Sequence, residues 1–412
     1  MKNSGIEWIG EIPDEWDVRK TKYLVNLYTG NSIKDEEKEL YEDKIDAIPY
    51  LSSKDIDAIF STADYENGMY VKLSDNRFSR APASSSLMCI EGGSAGKKKT
   101  FLKQEVCFVN KLCCFNPLDI NSKFLFYCLN SPNYEEEFRF NISGMIGGVS
   151  VGKLNQFILP LPPKATQQKI ASYLDKKCSK IEETIQNQQQ VIEKLKAYKQ
   201  SLITEAVTGK VKIVNGKACG EYENYKDSGV EWIGKIPSGW ESIKAKYFIK
   251  ISNGSDPKTE GGYTPVYGSG AESFKTCVEF KEGPAVLIGR KGATLHIPHY
   301  IEGNYWNVDT AFDVKTYSEE KFLLRFYYYC ATAFDYKFYL TSTTLPSMTQ
   351  TNYGNMYLPV PDVHIQEEVV EFLDNKFTAI DTAIEQKQNL IEKLTEYKKS
   401  LIYECVTGKK EI

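Results

Sequence analysis

Apolar residues recur at seven-residue spacing in two long stretches of this chain. In the first, residues 159–210, Leu174, Ile181, Leu195 and Leu202 share one seam, with Ile185 and Ile192 beside it. In the second, residues 358–412, Leu373, Ile380, Leu394 and Leu401 hold the matching places, with Ile384 and Ile391. Gln188 and Lys387 fill the gap in each seam. Both stretches open on prolines ("LPLPP", "LPVPD"), continue without Pro or Gly, and stop at Gly209 and Gly408. This predicts two long helices, each with a C-terminal stop. The heptad spacing predicts a coiled coil, although two separate amphipathic helices packed on globular cores would give the same pattern.

The linker between the repeats suggests their direction. About forty helical residues span roughly 60 Å. Residues 211–226, stretched at ~3.3–3.6 Å each, would barely travel back that far. The second helix is therefore expected to return antiparallel, with two globular modules held apart by the helices and related by a pseudo-twofold axis.

Outside the helices the pattern shortens. Strand-like runs such as "EVCFVN", "AVLIGR" and "TAFDVK", set among Gly, Ser, Asn and Thr, predict mixed α/β modules over Val25–Ile158 and Ile249–Tyr357. The extra length of the first is expected near "IKDEEKELYEDKID". A shared box precedes each module: "EWIGEIPDEW" (7–16) returns as "EWIGKIPSGW" (231–240), and Asn3–Leu24 matches Asp227–Phe248 at 12 of 22 positions. The helical stretches match at 24 of 52. The chain is thus an internal repeat of box, module and helix. Its expected divisions are 1–158, 159–210, a linker at 211–226, 227–357 and 358–412.

Composition narrows the class. With 412 residues, 42% apolar, 26% charged and 13% aromatic, the chain is a globular protein of more than one domain. No apolar run reaches the ~18–20 residues a bilayer requires, and "MKNSGIEW" lacks a signal-peptide core, so a cytoplasmic protein is expected. Ten scattered cysteines, several in apolar runs such as "SLMCI" and "VCFV", read as buried thiols more than as bridges. A net charge of −4 neither demands nor excludes a nucleic-acid partner, because local patches decide binding.

No catalytic motif survives inspection. "EGGSAGKKKT" (91–100) has the wrong glycine spacing for a phosphate loop, and Lys98 is not followed by Ser or Thr. Asn116-Pro117 lacks the rest of a methylase loop and reads as a turn. His296 and His299 have only His364 as a further histidine, too few ligands for a metal site. Pro13-Asp14 with Glu36 and Lys38 could be forced into a nuclease pattern that is common by accident. No catalytic or metal residue is assigned.

What the modules do supply is donors in Gly-rich surroundings. Arg77, Arg80, Ser94, Lys97, Lys98 and Lys99 cluster in the first; Ser269, Arg290, Lys291 and Thr294 do so in the second. Lys and Arg neutralise phosphates, and Arg, Ser and Thr read base edges. A solvated loop is the alternative for each cluster.

Taken together, "SGIEWIGEIP..W", "SGVEWIGKIP..W", "LPLPP...QQKIASYLD" and "LIEKLTEYKKSLI.E.VTGK" resemble the specificity subunit of type I restriction–modification enzymes across essentially the whole chain. The resemblance implies two target-recognition domains, each reading half of a split double-stranded DNA site, and helices that act as a spacer and bind two methylase subunits. A translocating endonuclease subunit joins them. S-adenosylmethionine, ATP and Mg then belong to the partners, and this chain carries no cofactor of its own. It also places reading loops at 142–154 and 340–353, adding Ser143, Ser150, Lys153, Thr343, Thr344, Ser347 and Gln350 as candidates. Trp8, Trp16, Trp232 and Trp240 anchor the boxes, either by partner docking or by core packing. The rival reading is a coiled-coil scaffold that bridges proteins without touching DNA.

Overall fold

The structure, a computed structural model, describes residues 1–7, 9–143, 147–270, 272–292, 294–336 and 346–412. Its helices are α1 (Ser122–Leu129), α2 (Pro132–Phe140), α3 (Val151–Leu154), α4 (Lys164–Val207), α5 (Leu324–Ala333), α6 (Gln350–Asn355) and α7 (Val363–Val406). The heptad stretches are α4 and α7, of 44 residues each. The fold is mixed α/β and divides into two compact units. Unit 1 is Met1–Gln189 with Gln388–Ile412, and unit 2 is Gln190–Lys387. Each unit therefore takes its module from one repeat and half a helix from each.

In unit 1 the module is built on two sheets. The first is antiparallel, in the order Val25–Thr29, Leu112–Pro117, Ser86–Cys89, Lys99–Phe101. The second runs Tyr70–Lys72, Ala47–Leu51, Val106–Phe108, Arg80–Ala81, with Phe108 parallel to Leu51. Side chains alternate across the first sheet, as strand geometry requires. Leu87, Cys89, Leu112 and Cys114 enter a core that also holds Val106 and Phe108 of the second sheet. Met88, Cys113 and Phe115 enter the core shared with α1, α2 and the long helices. A strand buried on both faces reads as a continuous apolar run, and "SLMC" and "LCCF" do.

Unit 2 repeats this plan with almost no matching sequence. Its antiparallel sheet is Ile249–Asn253, Ala311–Thr316, Ala285–Gly289, His299–Ile301. Its second sheet has Glu260–Tyr267 between Ser273–Cys277 and Trp306–Asn307, again with one parallel pairing, Tyr267 to Asn307. Gly30 and Gly254 follow the first strand of each module. A Cβ there would stand 1.7 Å from the Phe108 carbonyl oxygen and 2.0 Å from that of Val308, so only glycine permits the crossing. The extra length of module 1 falls between Thr29 and Ser86. It includes the expected acidic segment, which forms a 3-10 helix at Asp35–Tyr41, but also the strand Tyr70–Lys72.

Within each unit the helix halves run antiparallel. In unit 1, Ile170, Leu174, Cys178, Ile181 and Ile185 share a core with Leu401, Ile402, Cys405 and Val406. In unit 2, Ile203, Ala206 and Val207 share one with Val369, Phe372, Leu373 and Phe377. Repeat-equivalent ion pairs cross these packings: Glu182–Lys398 at 2.5 Å and Asp381–Lys199 at 2.7 Å. The seam is uneven. Leu174, Ile181, Leu373, Ile380 and Leu401 are buried, whereas Leu195, Leu202 and Leu394 are half-buried. The buried members lie mostly where the module also covers the helix, so burial follows the module as well as the heptad.

The boxes explain their own duplication. In each, Ser4 or Ser228 N–H donates to the Gly10 or Gly234 carbonyl at 3.0 Å, and the first glycine, Gly5 or Gly229, has φ of +74° or +71°. Each then seats on a helix end. Gly209 and Gly408 close α4 and α7 with matching 6→1 bonds, Lys210 N–H to Glu205 at 2.9 Å and Lys409 N–H to Glu404 at 2.8 Å. Pro237 and Trp240 pack on Gly209, and Pro13 and Trp16 pack on Gly408.

Candidate nucleic-acid interface

In each module two candidate loops, distant in sequence, are bonded into one cluster. In unit 1 the "GGSAGKKK" loop leaves the strand Ser86–Cys89 and meets the loop that enters α3. Gly92 N–H donates to Gly147 O at 2.8 Å, Val149 N–H to Ile90 O at 3.0 Å, and Ser143 pairs with Gly148. Gly92, Gly96 and Gly147 have positive φ, which holds these turns close. Ser94 and Lys98 are half-buried; Lys97, Ser143, Ser150 and Lys153 are exposed. Ser150 Oγ caps α3, accepting from Lys153 N–H at 3.3 Å.

Unit 2 builds the corresponding cluster from the loop after Ala285–Gly289 and the loop entering α6. Met348 N–H donates to Arg290 O at 2.9 Å, Gly292 N–H to Pro346 O at 3.1 Å, and Lys291 pairs with Ser347. Thr294 Oγ1 donates to Ser269 Oγ at 3.4 Å, drawing in the "GSG" turn, and Gln350 Nε2 donates to Asn253 Oδ1 at 3.2 Å. Lys291 is exposed, and Ser269, Arg290, Thr294, Ser347 and Gln350 are half-buried. Thr343 and Thr344 lie outside the described residues, as does Trp8. Both clusters offer cations and small hydroxyls on a glycine-lined surface, the chemistry that neutralises phosphate and reads base edges.

Other candidates are used differently. Lys99 is 1% exposed and pairs with Glu135 at 2.6 Å; burial pushes its ammonium pKa down, so it is a core ion pair and not a surface phosphate contact. Lys98 Nζ donates to the Ser53 carbonyl at 2.7 Å. Arg77 and Arg80 belong to the second sheet's surroundings. Arg77 is clasped by Asp75 at 2.7 Å and bonds Tyr41 OH at 3.1 Å, while Arg80 bonds the Leu73 carbonyl at 2.5 Å. Trp16 and Trp240, at 3% and 2% exposure, have no face left for a partner; their part is to cover the helix ends. Trp232 is half-buried and packs edge-on to Phe334 at 5.2 Å. Asn116-Pro117 ends the strand Leu112–Pro117 instead of making a turn.

Sequence reasoning missed the groups that fix each module to its helix. Asp175 accepts from Tyr127 OH at 2.7 Å and Lys123 at 3.2 Å; its equivalent, Asp374, accepts from Arg325 at 2.7 Å and from Tyr329 OH. Buried Gln167 accepts from Asn121 N–H and donates to Pro162 O, both at 2.8 Å. Gln366 does the same with Leu323 N–H (2.9 Å) and Pro361 O (3.0 Å). The signal was available: Gln167/Gln366 and Leu174-Asp175/Leu373-Asp374 are identical pairs in the repeat, and the heptad does not require the polar ones.

Among the described residues, no group of three or more His, Cys, Asp and Glu could hold a metal, and no helix is long and apolar enough to cross a membrane. The cysteines are unbridged, with Cys219 exposed and the rest buried. Burial pushes the Cys107 and Cys178 thiols up to about 11 and 12, which keeps them protonated.

Comparison with known proteins agrees with this architecture. The profile of the type I restriction modification DNA specificity domain matches residues 13–196 and again 237–393. The type I restriction enzyme EcoBI specificity subunit of Escherichia coli is 23% identical over 206 residues, which cover 48% of this chain and 40% of that protein. This chain thus matches less than half the length of that relative. A solved chain described under "Structural basis underlying complex assembly and conformational transition of the type I R-M system" superposes with a TM-score of 0.70. It is 11% identical, with 97% of this chain and 100% of that one covered. The S subunit of a type I restriction-modification system from M. genitalium covers 100% of both chains at 16% identity and a TM-score of 0.45. With both repeats matched, the chain belongs to the type I restriction modification DNA specificity domain family.

Proposed function

We propose that this chain is the DNA-specificity subunit of a type I restriction–modification complex. Each module reads one half of a bipartite double-stranded site, and α4 and α7 set the spacing between the halves and dock two methylase subunits. An endonuclease–translocase subunit completes the assembly. S-adenosylmethionine, ATP and Mg reside on those partners, and the chain itself performs no catalysis. The observation that carries this reading is the equivalent pair of loop clusters, 90–97 with 143 and 147–150, and 290–292 and 294 with 346–350. Two modules with little common sequence keep the same backbone frame and vary the side chains on it, as two independent readers on one scaffold would.

The test is reconstitution. With its cognate methylase subunits, the chain should direct methylation to a single two-part motif; alone it should methylate nothing. A coiled-coil scaffold without DNA contact would leave the methylase's sequence preference unchanged when this chain is added, and that result would overturn the proposal.

A further inference from the structure

Unit 1 has a partly open cavity of about 600 Å³ between its module and the long helices. In unit 2 two of the equivalent positions are filled. Cys178, which lines the cavity, corresponds to Phe377, whose ring packs against Tyr329 at 5.4 Å beneath Lys199. Lys399 corresponds to Gln200, whose amide donates to the Thr332 carbonyl at 3.0 Å. At these two positions the first module keeps small or exposed side chains where the second carries a packed ring and a bonded amide.

The lining has unspent polar capacity. Its carboxylates are engaged: Glu135 by Lys99, Asp175 by Lys123 at 3.2 Å and Glu182 by Lys398 at 2.5 Å. Lys97, Lys103 and Lys399 also line it, and among the described residues none of them has an ion-pair partner. Beside these groups Phe101 and Phe126 form an edge-to-face wall with centroids 5.8 Å apart. Surplus ammonium groups and an aromatic wall together suit a ligand with a phosphate at one end and a flat ring at the other.

We propose that this cavity binds a small phosphate ester that carries a flat ring, with the phosphate held by Lys97, Lys103 and Lys399 and the ring against Phe101 and Phe126. Calorimetric titration of the full chain tests it, with adenosine monophosphate, phenyl phosphate, inorganic phosphate and adenosine as probes. Both ring-bearing phosphates should bind saturably, and inorganic phosphate and adenosine about tenfold more weakly or worse. A preference for adenosine monophosphate over phenyl phosphate would assign the site to nucleotides; equal affinity would assign it to ring-bearing phosphates generally. Cys178→Phe, which installs the ring found at Phe377, should narrow the cavity and weaken binding. Should that variant fold poorly, exposed Lys399→Gln should weaken binding about tenfold with unaltered thermal unfolding. Absence of saturable binding, equal binding of inorganic phosphate, or unchanged affinity in Lys399→Gln would overturn the proposal.

Discussion

Trp16 and Gly408, at opposite ends of the chain, lie in contact: a Cβ built on Gly408 would stand 3.2 Å from Trp16 Cη2 and 2.4 Å from Pro13 Cδ. The N-terminal box therefore closes the C-terminal helix, as the second box closes the first helix on Gly209. Gly408 also has φ of +71°, which an L side chain adopts only with strain. Gly408→Ala should cost about 1–3 kcal/mol through strain and displacement of the box. Gly220→Ala, with φ of +91° and nothing within 4 Å of its Cβ, carries the strain alone and should cost less. Chemical denaturation of both variants checks the ordering.

The buried glutamines make a second prediction. Gln366→Leu removes the partner of Leu323 N–H and of the Pro361 carbonyl, both close to the start of a helix. Leaving those groups unsatisfied should cost about 1–3 kcal/mol. The denaturation midpoint should fall in Gln366→Leu and by a similar amount in Gln167→Leu, because the two sites are built alike.

Legibility differed by level. The long helices were readable because a heptad and a glycine stop are local signals, and their antiparallel course because the linker at 211–226 barely spans a helix length. The partition of the seam was not, since covering by the module decides it: Leu195 fits the heptad as well as Leu174, yet Leu195 is half-buried and Leu174 is buried. The common plan of the modules was hidden because backbone pairing tolerates almost any apolar alternation, leaving Gly30 and Gly254 among the few fixed points. The reading loops were identifiable as donor-rich, but Lys99 shows the limit of composition: one of three consecutive lysines is turned inward to Glu135.

The uneven seam predicts unequal costs for the same substitution. Leu174→Glu places a carboxylate where exposure is 0%, so it should cost several kcal/mol or prevent folding. Half-buried Leu195→Glu leaves the new charge a path to water and should be much milder. Soluble yield and thermal midpoint of the two variants separate them; equal loss would contradict the burial pattern.

His299 gives a pH dependence. Burial lowers its imidazole pKa below the ordinary 6.5, and its Nε2 has no hydrogen-bond partner among the described residues. The folded state therefore resists a proton that the unfolded chain accepts. Stability from this group is present above pH 6.5 and is lost as the pH falls through the lower, folded value. Urea midpoints measured downward from neutral pH should fall less steeply in His299→Gln than in the parent; identical slopes would remove His299 from the account.

The central claim is that the two modules read separately, and exchanging one tests it most directly. Replacing Val25–Ile158 with the corresponding segment of a relative of different specificity, while keeping both boxes and both long helices, leaves the second module's loops untouched. Methylation profiling of DNA from cells carrying the chimera with its methylase should then show one half of the bipartite motif changed and the other half identical. A motif altered in both halves, or in neither, would contradict the account.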